Sequence, residues 1–311
     1  MSNMAMDQDA EMTRQWHEDE KRWWNDHGEY MTLQWKLTPA LSEQIRGAME
    51  RDYKSFLLHP GERLLDLGCG SGWLSAYFAE RGMGVLGVDI SSEQIDAANR
   101  LKADYPGAKL DFECCDFMKW DVEKYRASFS NVFVSAFLHH LPAHELALVL
   151  EKIALMVKPG GRVYLYEPMQ CGRQRTLLIK VIDRFYNLFM QLLLATLPRW
   201  FGWWSERHLA ELRRGYTMSS PHEAPVMLER LHEYCGRSFE ISETRGWHLN
   251  SLGFGMQSMG LKEGVRRWYE PLTRLLYGVD QLLFRCFGWQ AFSIPGRFIL
   301  CSVKMTRKES S

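Results

Sequence analysis

The segment 64–75 of this 311-residue chain, LLDLGCGSGWLS, places an acid and three closely spaced glycines after a short apolar run. The glycines are Gly68, Gly70 and Gly72. Because glycine has no side chain, such a turn between a strand and a helix lets a ligand contact backbone amides. A second acid, Asp89, follows after about 20 residues, the distance at which a carboxylate binds the hydroxyls of a ribose. The pattern predicts a site for a ligand that contains a nucleoside.

The first acid, Asp66, and the glycine spacing discriminate between the nucleotides that bind such loops. The glycines are one residue closer together than in the usual dinucleotide motif. Asp66 would repel a pyrophosphate at short range, whereas it would attract an ammonium or a sulfonium. S-adenosylmethionine carries both cations and no phosphate, so it is favoured over NAD or FAD. The alternative for Asp66 is that it only orders the loop.

Short apolar runs alternate with amphipathic segments from residue 63 onward, which is typical of parallel βαβ units. We predict a doubly wound α/β sheet with helices over 72–82, 92–104 and 143–157. The predicted parallel strands cover 63–67, 84–89, 110–116, 131–137 and 162–168. Two later runs, 239–247 and 297–303, are predicted to form a closing antiparallel pair.

Five motifs in this region occur in the order found in a known family. They are LDLGCGSG, GVDIS, the CDF of residues 115–117, SAFLHHL after the fourth strand and KPGG before the fifth. Over about residues 58–168 the chain therefore resembles the class I S-adenosylmethionine-dependent methyltransferases, of the type that acts on small molecules and lipids. The resemblance implies a Rossmann-like, seven-stranded sheet whose last strand is antiparallel.

The resemblance also implies roles for individual residues. Asp89 would bind the ribose hydroxyls, and Asp116 with the Phe117 amide would bind the adenine edge. Tyr30 is similar to a tyrosine of the family's N-terminal lid. Asp89 and Asp116 could alternatively be turn residues. The predicted cofactor-binding residues are Tyr30, Asp66, Gly68, Cys69, Gly70, Gly72, Asp89, Ile90, Asp116, Phe117, Ser135 and Ala136, and no metal ligand is predicted.

Three further residues are candidates for catalysis. Methyl transfer from a sulfonium needs a general base only when the acceptor arrives protonated, as a hydroxyl does. His139 and His140 follow the fourth strand, and Glu167 ends the fifth, so all three should lie where ligands bind in α/β proteins. The alternative is structural, with the histidines packing under a lid and Glu167 binding polar backbone groups.

Composition limits the remaining classes of function. Lys plus Arg and Asp plus Glu both number 38, so no global charge favours a nucleic-acid partner. The seven cysteines show no CxxC spacing, which argues against a disulfide framework or a zinc site. The polar N-terminus has no apolar segment of a secretory signal. We therefore expect a cytoplasmic protein, with the inner face of the membrane as an alternative location.

Charge is segregated along the chain although its sum is zero. Residues 169–215 carry eight Lys or Arg and three acids, and residues 262–297 carry six and three. Both segments also contain wide apolar helix faces, which suit a peripheral membrane contact, a cover over a lipid-like substrate or a homodimer interface. The predicted organisation is a helical cap at 1–60, a cofactor-binding core at 61–168, a helical insertion at 169–220, a helix and strand at 221–261, a second insertion at 262–294, and a last strand with a tail at 295–311.

These features predict a methyltransferase that transfers a methyl group from S-adenosylmethionine to a small or lipid-like molecule. Displacement at the sulfonium is in line, with a histidine as the candidate base. The alternative is a non-catalytic protein that keeps the same fold and binds a partner or a membrane through its insertions.

Overall fold

A computed structural model describes residues 3–37, 47, 50, 52–54, 56–172, 176–192, 197–217, 220–249, 260–293 and 299–309. Part of the predicted cap, residues 38–46, and the first two residues of the predicted last strand, 297 and 298, lie outside them. The strands are β1 Arg63–Leu67, β2 Gly84–Asp89, β3 Leu110–Cys114, β4 Phe129–Ser135, β5 Val157–Gln170, β6 Val226–Met227, β7 Phe239–His248 and β8 Ile299–Arg307. The helices are α1 Asn3–Leu37, α2 Trp73–Glu80, α3 Ser92–Lys102, α4 Leu146–Met156, α5 Leu177–Gln191, α6 Leu197–Trp200, α7 Glu206–Arg213, α8 Leu228–Cys235 and α9 Glu263–Phe287.

The strands form one mixed sheet in the order β3-β2-β1-β4-β5-β8-β7. β1 to β5 are parallel, and β8 runs antiparallel between β5 and β7. In β1 and β4 nearly every residue is buried, as expected for strands that helices cover on both faces. The chain reverses direction across the sheet between β1 and β4, and ligands of open α/β sheets bind outside the carboxyl ends of the strands at such a point.

The predicted α/β class and the seven-stranded path agree with the structure, but several strand limits differ. The fifth strand is longer than predicted because Val157 already pairs with Phe129 ahead of a register shift. The fourth strand ends at Ser135, two residues earlier than predicted, because Ala136 turns the chain with a φ of +51°. An eighth strand, β6, pairs with the end of β5 and has only two residues, which is too short for any alternation to be visible in the sequence.

The two insertions pack on each other through their helices. Met190 of α5 shares a buried cluster with Tyr269 and Leu276 of α9. The Tyr186 hydroxyl donates to Asp280 Oδ1 at 2.8 Å, and the other oxygen of this fully buried acid accepts from the Leu249 amide at 2.9 Å. These bonds join both insertions to the end of β7. Among the described helices, none combines the length and apolar character needed to cross a bilayer.

Candidate functional site

The three glycines of the loop after β1 all have positive φ, at +69° for Gly68, +51° for Gly70 and +78° for Gly72. A Cβ on Gly68 would lie 2.9 Å from the Cβ of Phe137, and one on Gly72 would lie 2.5 Å from the ring of Phe112. Two of the glycines are therefore required by backbone conformation and internal packing, which corrects the expectation that a ligand explains all three. Gly70 alone has room, because the atom nearest its Cβ would be 3.5 Å away.

Asp89 closes the loop from the end of β2. Its Oδ2 accepts from the Gly70 amide and its Oδ1 accepts from the Ser91 amide, both at 2.9 Å. A carboxylate has about four acceptor positions, so each oxygen keeps capacity for a hydroxyl donor. This arrangement fits a ribose diol beside Gly70. The next residue, Ile90, is partly buried, and its carbonyl accepts from the Cys114 thiol at 3.7 Å.

Asp66 points into the protein. It is 1% exposed and accepts a hydrogen bond from the Ser75 hydroxyl of α2. Burial raises the pKa of this carboxyl to about 7, and the charge of Asp89 adds to the effect. The contacts match the alternative in which Asp66 orders the loop.

Cys69 is also buried, and its amide donates to the Val88 carbonyl at 3.1 Å.

Asp116 and Phe117 follow β3 at the same edge of the sheet. Asp116 Oδ1 accepts from the Met118 amide at 3.0 Å, and Oδ2 lies 2.9 Å from Lys119 Nζ. Burial opposes ionisation of this acid, yet the neighbouring His17 and Lys119 hold its pKa well below the usual range. Phe117 is buried and packs edge-on against Phe137, with the ring centroids 5.9 Å apart.

Helix α1 lies across this edge and covers it. The Trp16 indole donates to the His140 carbonyl at 2.7 Å, and the Ser91 hydroxyl donates to Asn25 Oδ1 at 2.8 Å. The predicted lid residue Tyr30 is buried further along α1, where its hydroxyl lies 2.8 Å from His208 Nδ1 in α7. Burial raises the pKa of Tyr30 to about 12. Sequence reasoning identified a helical cap but not its contacts, because these join residues 66 to 178 positions apart.

His17 ties α1 to two acids of the core. Its Nε2 lies 2.8 Å from Glu145 Oε2 and its Nδ1 lies 3.6 Å from Asp116 Oδ2. Both ring nitrogens therefore face carboxylates, which only accept, so the imidazole is held doubly protonated. Asp116 first, then Glu145, raise the pKa of His17 to about 9 against the effect of burial. This ion pair was not found from the sequence.

The charge on His17 predicts a pH-dependent stability. Since its pKa rises from about 6.5 unfolded to about 9 folded, the stabilisation is complete below pH 6.5 and is lost as the pH rises through 9. We expect His17→Gln to lower the free energy of unfolding by up to about 3 kcal/mol at pH 6 and by much less above pH 9. Urea titrations at several pH values measure this. A constant difference between the two proteins would contradict the assignment.

His139 and Glu167 form a buried pair where β4 and β5 end. Glu167 Oε1 accepts from the Phe137 and Leu138 amides at 2.7 and 2.9 Å, and its Oε2 lies 2.8 Å from His139 Nδ1. Because a carboxylate only accepts, the Nδ1 of His139 carries a proton and its Nε2 is left as the basic nitrogen. Burial lowers the pKa of His139, as does the charge of His140. Glu167 thus binds backbone groups and orients a histidine.

His140 has a separate set of partners. Its Nδ1 lies 3.1 Å from Glu20 Oε2 of α1 and 2.9 Å from Ser220 Oγ. Burial alone would lower the pKa of His140, but Glu20 raises it.

Just before the histidines, Ala136 is exposed and donates its amide to the Tyr166 carbonyl at 3.0 Å. This turn places Ser135 at the carboxyl edge of the sheet, beside the glycine loop's strand β1.

Together these positions bring most of the predicted residues to one edge of the sheet. Gly70, Asp89, Ser135 and Ala136 follow adjacent strands, and the histidine pair lies beyond β4. Tyr30 is instead joined to α7, and Asp66, Gly68 and Gly72 face the interior. Sequence reasoning missed His17 and Glu20, which lie among the many charged residues of α1, and Glu223, which lies in a turn between Pro221 and Pro225.

Comparisons with known proteins show what this part of the chain is similar to. A family model described as a methyltransferase domain matches residues 64–161. The chain is 32% identical over 143 residues to the ubiquinone biosynthesis O-methyltransferase of Idiomarina loihiensis, covering 46% of this chain and 54% of the relative. The enzyme of the same description from Cereibacter sphaeroides is 38% identical over 143 residues, with 45% and 56% covered. The chain spans about half the length of the curated relatives it matches.

A solved structure extends the likeness of fold over most of the chain. The magnesium protoporphyrin IX methyltransferase of Synechocystis, with bound S-adenosylhomocysteine, superposes with a TM-score of 0.52 at 13% identity, covering 93% of this chain and 100% of that one. At this identity the likeness concerns the fold alone. Residues 64–161 thus match a methyltransferase domain, and the fold over most of the chain is similar to that of a solved methyltransferase.

Proposed function

We propose that this protein transfers the methyl group of S-adenosylmethionine to a hydroxyl oxygen of a small or lipid-like molecule. The observation that carries the proposal is the methyltransferase domain at residues 64–161 together with the Asp89 carboxylate fixed beside Gly70. The matched relatives are described as O-methyltransferases of ubiquinone biosynthesis, which supports a hydroxyl acceptor. The bound cofactor would supply an electrophilic methyl group on a sulfonium.

The residues of the chain would hold this cofactor by charge and hydrogen bonds. Asp89 would accept from the ribose hydroxyls while it keeps the Gly70 amide in place. Asp116, which stays ionised, would accept a hydrogen bond from a donor on the adenine edge once His17 moves away from its carboxylate. Helix α1 would exclude water from the reacting groups, which strengthens every electrostatic interaction beneath it.

His139 is the proposed general base. Glu167 keeps its Nδ1 protonated, so the Nε2 can accept the proton of an acceptor hydroxyl. The carboxylate orients the imidazole in the same way as in other carboxylate–histidine pairs. The ring of His140 packs against the ring of His139, with the centroids 3.9 Å apart. The Nδ1 of His140 lies 3.1 Å from Glu20 Oε2 of α1. Closure of α1 would therefore complete the basic site.

A membrane surface is the proposed source of the acceptor. Helix α5 exposes a continuous apolar stripe, in which Leu177 is 77% and Phe185 71% exposed. The other exposed residues of the stripe are Leu178, Val181, Leu188, Phe189 and Leu192. The exposed charges on α5 are the cations Lys180 and Arg184, while its acid Asp183 is buried. An apolar stripe edged by cations suits an anionic bilayer surface.

The stripe predicts lipid binding that depends on two of its central residues. We expect the double change Phe185→Glu and Leu188→Glu to reduce flotation with phosphatidylglycerol vesicles at least tenfold, because it removes apolar area and adds like charge. Leu148→Glu, at an exposed leucine of α4, is the matched control and should float like the parent protein. Equal recovery of all three proteins with the vesicles would rule out α5 as the docking helix. Self-association through α5 would instead appear as a change in oligomeric state without lipid.

The activity is tested by calorimetric titration followed by a transfer assay. The full chain is titrated with S-adenosylmethionine, with S-adenosylhomocysteine and with NAD, and a panel of phenols and lipid-linked phenols is then screened for methyl incorporation. We expect S-adenosylmethionine and S-adenosylhomocysteine to bind and NAD not to bind, and we expect methyl transfer to at least one phenol. Binding without transfer to any acceptor would favour the alternative of a non-catalytic scaffold. Absence of binding would overturn the proposal.

A further inference from the structure

Three side chains converge outside the set predicted to hold the cofactor. The turn at 220–224 lies on the short helical turn Leu138–His140, where the Ala224 amide donates to the His139 carbonyl at 2.9 Å. This contact brings Glu223 to the histidine pair. One nitrogen of each imidazole and one Glu223 oxygen lie within 4.8 Å of one another. Among the described residues, this is the one group of three His, Cys, Asp or Glu side chains that converges in this way.

A carboxylate lies behind each histidine. Glu167 Oε2 lies 2.8 Å from the Nδ1 of His139, and Glu20 Oε2 lies 3.1 Å from the Nδ1 of His140. Histidines that bind metals almost always give their other ring N–H to a carboxylate or carbonyl, which fixes the ring and leaves one nitrogen for the ion. His139 has that support directly from Glu167, whereas His140 has it through Ser220, whose Oγ lies 2.9 Å from Nδ1 and donates to Glu20 Oε1. In both rings the Nε2 is the other nitrogen.

The supporting carboxylates are themselves fixed. Glu167 accepts from two backbone amides, and Glu20 Oε1 accepts from the Ser220 hydroxyl at 2.9 Å and the His222 amide at 3.1 Å. Glu223 Oε1 accepts from the Ser220 amide at 2.9 Å, so its Oε2 is the oxygen that this amide does not occupy. With three carboxylates around two imidazoles, the local charge favours a cation.

We propose that His139, His140 and Glu223 bind a divalent transition-metal ion of the Zn²⁺ class. Two imidazoles and one carboxylate suit Zn²⁺ or Fe²⁺, whereas Mg²⁺ and Ca²⁺ prefer oxygen ligands throughout. Atoms bound to one Zn²⁺ lie about 3.3 Å apart, so from separations of at most 4.8 Å the group needs to contract by no more than about 1.5 Å, which rotation of Glu223 can provide. The remaining coordination position would be open to a substrate oxygen, as in catalytic sites of this composition.

The role of such an ion, unlike its binding, rests on the proposed function. An acceptor hydroxyl bound at the open position would lose its proton more readily, because the ion stabilises the oxyanion. In that state the Nε2 of His139 is a ligand and does not act as the base. Metal binding is therefore tested without cofactor or acceptor.

The full chain is freed of metal with a chelator and titrated with Co²⁺, whose visible absorption reports its coordination. We expect one equivalent to bind with the absorption of a nitrogen- and oxygen-bound ion, and Zn²⁺ to displace it. Glu223→Gln keeps the oxygen that accepts from the Ser220 amide but loses the anionic ligand, so we expect at least tenfold weaker binding. His232→Gln, at an exposed histidine of α8, is the control for surface binding and should leave the affinity unchanged.

Binding that is equally strong in the parent protein and in Glu223→Gln, or an absence of binding in the parent protein, would overturn the proposal. A loss of affinity that His232→Gln shares would mean a surface site and would also overturn it. Titration of S-adenosylmethionine into Glu223→Gln separates this result from the proposed function, because the cofactor affinity should not change. If the chain binds Co²⁺ through Glu223 but binds neither S-adenosylmethionine nor S-adenosylhomocysteine, the metal site stands and the proposed methyltransferase function is wrong.

Discussion

Asp89→Asn should weaken the binding of S-adenosylmethionine and S-adenosylhomocysteine at least 100-fold, or about 2.7 kcal/mol. The change removes the charge that would accept the ribose hydroxyls. It also places an amide NH₂ against either the Gly70 or the Ser91 amide, both of which now donate to a carboxylate oxygen. Two donors would then face each other, so the loop would lose its support together with its ligand contact. Calorimetric titration of the purified variant measures the loss.

A matched control separates the ligand effect from a general loss of stability. Asp111→Asn makes the same chemical change on the neighbouring strand β3, where Asp111 is exposed and pairs with Lys102 at 2.8 Å. This variant should bind both nucleotides within about twofold of the parent protein, as expected for a surface ion pair. If the Asp89 variant bound equally well and remained folded, the nucleoside would not be held at this edge of the sheet.

Glu167→Gln should reduce kcat by about 10² to 10³ while leaving the cofactor affinity and the KM of the acceptor nearly unchanged. The glutamine oxygen can still accept from the Phe137 and Leu138 amides, so the turn after β4 keeps its shape. Its NH₂ cannot accept from the Nδ1 of His139, and the imidazole would adopt the other tautomer, with a proton on Nε2. A steady-state assay with a phenol acceptor measures the separation of kcat from KM.

Glu113→Gln provides the comparison for this experiment. Glu113 on β3 also accepts two hydrogen bonds, from Trp120 and Tyr125, but it contacts neither histidine. Its replacement should leave kcat within about twofold of the parent value. A parent-like kcat in Glu167→Gln would mean that His139 neither accepts the proton nor depends on Glu167 for its orientation.

Much of the sheet could be predicted because its information is local. Apolar runs and glycine turns mark β1, β2 and β3, and the spacing between Gly70 and Asp89 identifies the pair that the structure places in contact. The interior role of Gly68 and Gly72 was missed because a glycine motif alone does not tell whether a ligand or an aromatic side chain fills the space. The glycine spacing in the sequence is the same whether a ligand or an aromatic side chain fills that space.

The contacts of the histidine pair depend on the tertiary fold. Glu167 reaches His139 from the adjacent strand, whereas Glu20 and Glu223 arrive from a distant helix and a turn after the first insertion. Each of these acids has an unremarkable sequence context, since charged residues surround Glu20 and a proline turn precedes Glu223. No periodicity or spacing marks side chains that converge from three separate segments. This part of the site becomes visible only when the sheet order is known.

The long α1 helix has a kinetic consequence. It contacts Asp116 through His17 and the histidine pair through Glu20, two residues that lie on adjoining turns of one rigid element. Under the proposed function, the nucleoside end and the acceptor end of the site therefore open and close in a single event. Exchange of the spent nucleoside and departure of the methylated product would share that event, so the turnover rate would follow the detachment of α1 more closely than the chemical step.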